Sequence, residues 1–111
     1  MQSITARIRI YFGDNLAIGP GRIELLEGVQ RTGSLSQAAR DMGMSYRRAW
    51  LLMQNLNAAL RQPATLAKRG GTMGGGAVVT PVGQALIHSY RRMESSATRN
   101  INRRFARFAR R

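Results

Sequence analysis

The chain contains no cysteine, one histidine and only 5 acidic residues among its 111 positions. The lack of cysteine excludes disulfide scaffolds, thiolate catalysis and cysteine-ligated zinc sites. His88 has no carboxylate three or four positions away to orient it as a base, and the acids are scattered along the chain. The sequence therefore predicts a protein that is not an enzyme and that uses neither a cofactor nor a metal ion.

Long apolar runs are also missing. No stretch approaches the roughly 18 apolar residues that a membrane span requires. The N-terminus lacks the charged and apolar regions of a signal peptide. We expect a cytoplasmic location and no membrane partner.

Positive charge, in contrast, is abundant. The 18 Lys and Arg residues outnumber the acids enough to give a net charge of +13, and every basic residue except Lys68 is an arginine. Arginine binds phosphate bidentately, whereas lysine acts as a point charge. This composition indicates a nucleic-acid partner. No small-molecule effector can be assigned from the sequence.

The first part of the chain predicts one strand and one helix. Residues 4 to 12 alternate between apolar and polar side chains, which is typical of a half-buried strand. A turn at residues 13 to 15 should end this strand. A helix should follow, with Pro20 in its first turn and Gly33 as its left-handed C-terminal cap.

Two more helices are predicted in close succession. Ser34 and Gln37 form a capping box, in which each side chain bonds to the other's backbone N–H, at the start of a short helix that ends at Gly43. Ser45 is the cap of a third helix that runs to about Arg61. The short interval between these two helices is that of a helix-turn-helix motif.

The third helix has a packed face and a free face on a helical wheel. The packed face contains Ala49, Leu52, Met53, Leu56, Ala59 and Leu60, and the free face contains Arg47, Leu51, Gln54 and Ala58. A recognition helix contacts base edges in the major groove, where arginine recognises guanine and glutamine recognises adenine. The expected contacts of this helix are Tyr46, Arg47, Arg48 and Gln54. Trp50, at the edge of the packed face, is expected in the core.

Strand-like residues flank a glycine-rich loop after the third helix. The predicted strands are residues 64–69 and 77–80, and the loop between them matches no phosphate-binding glycine motif. A hairpin after a helix-turn-helix is a wing, which rests on the sugar–phosphate backbone. Its expected DNA contacts are Lys68, Arg69, Gly71, Gly74 and Gly75. Ser34, Ser36 and Ser45, beside the helix starts, complete the expected set, and a disordered linker is the alternative interpretation of the loop.

Thr80 and Pro81 begin a final helix that could reach the C-terminus. It carries eight arginines and one acid, Glu94. Its apolar stripe, which a small domain cannot hide fully, is expected to form a two-fold dimer interface. The stripe consists of Leu86, Tyr90, Met93, Ala97, Ile101, Phe105 and Phe108. A basic helix on an anionic membrane and a disordered arginine-rich tail at residues 102 to 111 are the alternatives.

Several motifs between residues 20 and 93 occur in a recognisable order. They are Ser-Leu-Ser-Gln-Ala-Ala at 34–39, Gly-Met-Ser-Tyr-Arg-Arg-Ala-Trp at 43–50, the glycines of 70–76 followed by Ala-Val-Val-Thr, and Gly-Gln-Ala-Leu-Ile at 83–87. This arrangement resembles the DNA-binding half of the molybdate-responsive regulators of the ModE type, and the Gly-Ser-x-Ser-x-Ala-Ala start is shared with LysR-type winged helices. The resemblance implies a dimeric winged helix with its third helix in the major groove and its wing against the backbone. Full-length members carry a C-terminal oxyanion-binding region, whereas this chain ends at Arg111, so molybdate sensing is not carried over.

The sequence therefore predicts a mainly α fold with a small β-sheet. Its parts are a winged helix-turn-helix with an N-terminal strand and a β-hairpin wing at residues 1–80, and a long basic dimerisation helix at 81–111. The expected function is sequence-specific regulation of transcription by a homodimer on double-stranded DNA. A nonspecific architectural protein held to DNA by charge is the alternative, and an RNA or membrane-surface binder is a third interpretation.

Overall fold

A computed structural model describes residues 4–68 and 76–110. Helices dominate this part of the chain, and two antiparallel sheets of two strands each complete it. In chain order the elements are β1 Ile10–Phe12, β2 Asn15–Ile18, α1 Pro20–Thr32, α2 Leu35–Asp41, α3 Tyr46–Ala59, β3 Thr65–Ala67, β4 Ala77–Val79, α4 Pro81–Phe105 and a 3₁₀ turn at Ala106–Phe108. The predicted mainly α fold class with a small amount of β structure is confirmed.

The core lies where α1 meets α2, α3, the β3–β4 hairpin and the first half of α4. Helix α1 contributes its largest fully buried side chains, which are Ile23, Leu25, Leu26 and Val29. Small residues let α1 and α2 approach closely, because a Cβ atom at Gly28 would lie only 2.9 Å from Cβ of Ala38. Helix α2, the first helix of the motif, is therefore held in a fixed orientation on α1 by tight packing.

Local signals set most helix boundaries as predicted. Helix α1 begins at Pro20 and ends before Gly33, which adopts φ +72°. The Ser45 hydroxyl oxygen accepts a hydrogen bond from the backbone N–H of Arg48 at 3.1 Å, so α3 begins one residue later. Helix α3 ends at Ala59, two residues before the predicted end at Arg61.

Only half of the predicted capping box forms. The Ser34 hydroxyl oxygen accepts from the N–H of Gln37 at 3.0 Å. The reciprocal bond is replaced, because the N–H of Ser34 donates to the Thr32 hydroxyl at 3.2 Å. The Gln37 side chain instead donates to Asp41 and accepts from Arg40 within α2. The backbone N–H groups of Ser34 and Gln37 are therefore both hydrogen-bonded, but the acceptor for Ser34 is Thr32 and not Gln37.

The prediction of one strand over residues 4 to 12 is wrong. Only Ile10–Phe12 is a strand, and it pairs with β2, which was not predicted. Residues 4–8, which we call the N-terminal strap, run antiparallel along α4. The side chain of Asn102 accepts from the N–H of Ile4 at 3.3 Å and donates to its carbonyl at 2.6 Å. The Tyr90 hydroxyl donates to the carbonyl of Ile8 at 2.5 Å.

The first half of α4 packs against the rest of the molecule and the second half extends beyond it. A Cβ atom at Gly83 would lie 2.3 Å from the carbonyl oxygen of Ala64, so glycine lets α4 dock directly on the hairpin. Ile87 and Tyr90 belong to the core. The radius of gyration is 16.0 Å, whereas a compact chain of this length would have about 13 Å. Regular α-helix ends at Phe105, short of the predicted C-terminus.

Candidate nucleic-acid interface

Helix α3 presents a continuous exposed face. Ala49, Met53 and Leu56 are buried in the core, and the opposite residues Arg47, Leu51, Gln54 and Ala58 are exposed. This division follows the predicted helical wheel with one exception. Ala59 was assigned to the packed face, but it is exposed because α3 ends there, and the extended residue Leu60 packs on the core instead.

The first turn of α3 carries two exposed arginines. The side chains of Arg47 and Arg48 have no ion-pair or hydrogen-bond partner within residues 4–68 and 76–110. Ser45 and Tyr46 are exposed beside them. Because the Ser45 oxygen already accepts the capping bond, its hydroxyl hydrogen is what it can still offer to an anion. The turn therefore presents several donors to the solvent.

Trp50 lies on the surface, so its assignment to the core is wrong. The side chain is 45% exposed, and Tyr46, one helical turn earlier, is 46% exposed. Both residues line a cleft of about 120 Å³ between α3 and strand β3, where Leu66 forms the facing wall. The wheel position at the edge of the apolar arc faces the wing rather than the core, which is why the sequence pattern was misleading.

The base of the wing is tied to the start of α2. The N–H of Lys68 donates to the carbonyl of Gly76 at 2.9 Å, and the N–H of Ala77 donates to the carbonyl of Gly33 at 3.1 Å. Lys68 is exposed at this base, and Ser34 and Ser36 at the start of α2 are half-buried. The paired strands Thr65–Ala67 and Ala77–Val79 confirm the predicted strands of the hairpin. The other expected wing contacts, Arg69, Gly71, Gly74 and Gly75, lie outside the described residues.

Arg22 was not predicted as a site residue. It adds positive charge to the flank of α3 that carries Arg48. Its Nη2 donates to the Asn55 side chain at 3.4 Å, and its Nε finds no partner in the described part of the chain. Burial lowers the pKa of the Arg22 guanidinium, and repulsion from Arg48 lowers it further. Arg22 belongs to another helix, so no local sequence pattern could have linked it to Arg48.

The predicted dimer stripe on α4 is only partly free. Tyr90, which was predicted as part of the dimer interface, is instead buried within the protomer. Leu86 and Met93 are half-buried and pack on the core. Ala97 and Ile101 are also half-buried, whereas Phe105 and Phe108 are 50% and 68% exposed. The stripe is covered at its start because the first half of α4 completes the protomer's own core.

An ion-pair cluster fixes α4 against α1. The Arg91 guanidinium donates two bonds to Glu27, at 3.0 and 2.7 Å, and one to Glu94 at 2.7 Å. These carboxylates raise the pKa of Arg91 above its ordinary value, and the bonds to Glu27 contribute most. The cluster therefore joins α1, which packs behind α3, to α4, whose second half extends beyond the core.

Comparison with known proteins places this geometry in a family. The model of the bacterial regulatory helix-turn-helix proteins of the lysR family matches residues 21–84. The chain belongs to this family. The lysR-type family is one of DNA-binding transcription regulators and not an enzyme family. In residues 4–68 and 76–110 no helix is long and apolar enough to cross a membrane.

Curated relatives of this lysR-type chain confirm the ModE resemblance. The chain is 44% identical over 85 residues to the molybdenum-pterin-binding protein MopB of Rhodobacter capsulatus, covering 77% of this chain and 32% of that protein. It is 42% identical over 71 residues to the DNA-binding transcriptional dual regulator ModE of Escherichia coli K12, covering 64% and 27%. The chain therefore spans less than a third of the length of these two relatives.

A solved structure confirms the fold of the lysR-type chain. The crystal structure of the CbnR DNA-binding domain in complex with DNA superposes with a TM-score of 0.63 at 22% identity, covering 80% of this chain and 97% of the other. The fold is thus the predicted winged helix-turn-helix.

Proposed function

We propose that this lysR-type chain is a sequence-specific transcription regulator that binds double-stranded DNA as a homodimer. The observation that carries the proposal is the exposed face of α3, where Arg47 and Gln54 lie opposite the buried residues Ala49, Met53 and Leu56. Both side chains are suited to bidentate recognition of a base edge in the major groove. Their backbone is fixed by the core, so the side chains meet DNA from a defined position.

Contacts to the phosphates would orient this reading face. Arg48 with Arg22 lies on one flank of α3, and Lys68 lies at the base of the wing on the other side of the molecule's exposed face. Ser34, Ser36 and Ser45 are positioned at helix starts, where the helix dipole and backbone N–H groups favour anions. Arg69 and the loop glycines Gly71, Gly74 and Gly75 are assigned to the same role from their sequence positions.

The relatives support the choice of DNA as the partner. The ModE of Escherichia coli is named a DNA-binding transcriptional dual regulator, and the CbnR domain was solved on DNA. No oxyanion ligand is proposed for this chain, because the matched part of these relatives is their N-terminal region.

A homodimer is proposed because α4 extends past the core. One flank of its second half is covered by the N-terminal strap, and another flank forms an open groove lined by Met93, Ser96, Ala97, Arg99, Asn100 and Arg103. A second copy packed in this groove would pair two reading faces. Paired faces match half-sites separated by about one turn of DNA.

Selection of binding sites from random duplexes tests the proposal. The selected duplex should bind roughly 10³ to 10⁷ times more tightly than random duplex at physiological salt. The affinity for both should be measured at several salt concentrations, because phosphate contacts make binding salt-dependent whatever the sequence. Equal affinity for all sequences would contradict sequence-specific function.

A nonspecific architectural role is the second candidate, and the exposed arginines of α4 favour it. Arg92, Arg99, Arg103 and Arg104 extend the basic surface away from the reading face. If binding rests on these charges, replacing Arg92 and Arg104, which do not line the groove proposed for the second copy, by glutamine should weaken binding to all duplexes and lower the salt dependence by about two phosphate contacts. The sequence-specific candidate instead predicts that the preference for the selected duplex survives this double replacement.

A further inference from the structure

Two large aromatic side chains stand half-exposed beside the reading face of α3. Trp50 and Tyr46 occupy the same side of the helix, four positions apart, and are 45% and 46% exposed. Leu66, which is 52% exposed, faces them from strand β3. Large apolar side chains grouped in this way on a small soluble domain mark an interaction site more often than scattered ones do.

The cleft between these side chains is lined by both apolar and polar groups. Buried Met53 adds to its apolar wall, and Gln54, Asn57 and Thr65 supply polar groups. Its volume of about 120 Å³ exceeds the roughly 30 Å³ share of a single water molecule. A methyl-sized apolar group therefore has room to enter and displace water.

The surroundings of the cleft indicate nucleic acid rather than protein as its occupant. Arg47 and Arg48 extend from the same helical turn as Tyr46, and Lys68 follows the strand that carries Leu66. The described residues place no carboxylate on the cleft walls. A polyanion that carries an apolar group on its base edges fits both these neighbouring cations and the apolar side chains that line the cleft.

We propose that the cleft formed by Tyr46, Trp50 and Leu66 receives the 5-methyl group of a thymine in the major groove. This inference rests on the proposed function, since it requires α3 to lie in that groove. Thymine is the base that presents a methyl group there, and apolar side chains read it by contact. Trp50 then adds selectivity for an A·T pair beside the pairs read by Arg47 and Gln54.

The fluorescence of Trp50 provides a direct test, because it is the single tryptophan of the chain. The full chain is titrated with an A·T-rich duplex and with the same duplex carrying uracil in place of every thymine. We expect the Trp50 emission to shift to shorter wavelength on both duplexes as water leaves the ring. The thymine duplex should bind more tightly, by about fourfold for each buried methyl group.

A second arm locates the methyl group in the selected duplex. Each thymine is replaced singly by uracil, and one position should lose about fourfold in affinity. Trp50→Ala should abolish the sensitivity at that position only, and Trp50→Phe should retain part of it. Val78→Ala serves as the matched control, because Val78 is 48% exposed on the hairpin but does not line the cleft.

The possible results of these titrations test the inference about the cleft separately from the proposed function. Unchanged Trp50 emission at saturation, or equal binding of thymine and uracil duplexes at every position, overturns the inference while leaving the proposed function standing. An emission shift without any effect of uracil also overturns it, because the ring then contacts sugar rather than a methyl group. If selection yields no preferred duplex, sequence-specific function fails, and the comparison of thymine and uracil duplexes still decides the role of the cleft.

Discussion

At the scale of single residues, Arg47 and Lys68 are both exposed cations but belong to different elements. Arg47 lies on the exposed face of α3 that is proposed to contact base edges, so Arg47→Ala should relax the preference at one base pair by about 1–3 kcal/mol. Lys68 lies at the base of the wing, so Lys68→Ala should weaken all duplexes equally and reduce the salt dependence by about one phosphate contact. Competition binding with single-base variants of the selected duplex measures both effects. The opposite pattern would mean that the two roles are exchanged.

Gly83 illustrates a residue whose importance is steric. A Cβ atom there would lie 2.3 Å from the Ala64 carbonyl oxygen and 2.7 Å from the Val79 side chain, and the first of these is backbone. Gly83→Ala should therefore lower the free energy of unfolding by about 1–3 kcal/mol or more. Gly21→Ala is the matched control, because its Cβ would meet nothing within 4 Å. This control should be neutral or stabilise by about 0.4–1 kcal/mol. Urea unfolding of both variants tests the contrast, which equal stabilities would refute.

Tyr90 is expected to make the free energy of unfolding fall at alkaline pH. Burial raises the pKa of the Tyr90 phenol above its ordinary value of 10.0, and the charge of Glu94 raises it further. Below pH 10 the phenol is neutral in both the folded and the unfolded chain, so this stabilisation is fully present. Above pH 10 the unfolded chain loses the proton first, and the free energy of unfolding should fall until the folded phenol ionises. Tyr90→Phe should flatten this decline.

Comparing Tyr90→Phe with Tyr46→Phe tests whether the alkaline fall in the free energy of unfolding comes from the buried phenol of Tyr90. Tyr46→Phe removes the same hydroxyl group from an exposed side chain and serves as the control substitution. Tyr90→Phe should also lower stability at neutral pH by about 1 kcal/mol, because the Ile8 carbonyl loses its donor. Thermal unfolding between pH 7 and 11 measures both effects. An unchanged alkaline slope in Tyr90→Phe would show that another group controls it.

At the scale of elements, the helices were predictable and the N-terminal region was not. Helix starts and ends depend on residues within four positions of one another, and Pro20, Gly33, Ser45 and Thr80 act as expected. The N-terminal strap depends instead on Asn102 and Tyr90, which are distant in sequence. An alternating pattern records which side chains face an apolar surface, but it does not tell whether that surface is a strand or a helix.

The candidate site was predictable to the same extent. The exposed face of α3 follows from a helical period, which is local information. The position of Trp50 depends on where the β3–β4 hairpin packs, and the neighbourhood of Arg22 and Arg48 depends on how α1 crosses α3. These are tertiary relations, and a helical wheel contains no information about them.

At the scale of the whole molecule, the net charge of +13 is divided between two structural regions. One share surrounds the exposed face of α3, and the other lies on the extended half of α4, where Arg99, Arg103 and Arg104 are exposed. Two copies that pair through α4 must bring the second share together. Screening by salt or by DNA phosphates should therefore strengthen the dimer.

The proposed dimer uses the flank of α4 that forms the open groove, and two charge substitutions on α4 test this assignment. Ala97 lines the open groove, whereas Ser95, 200° away on the helix at 100° per residue, lies on the flank beside the N-terminal strap. Ala97→Glu places a charge in the proposed interface and should shift sedimentation towards the monomer, and a chain shortened to Met93 should be monomeric. Ser95→Glu introduces the same charge outside the interface and should leave the dimer intact. If both substitutions act alike, charge rather than packing governs association. If the unaltered chain sediments as a monomer even at high salt and on DNA, the groove does not serve dimerisation.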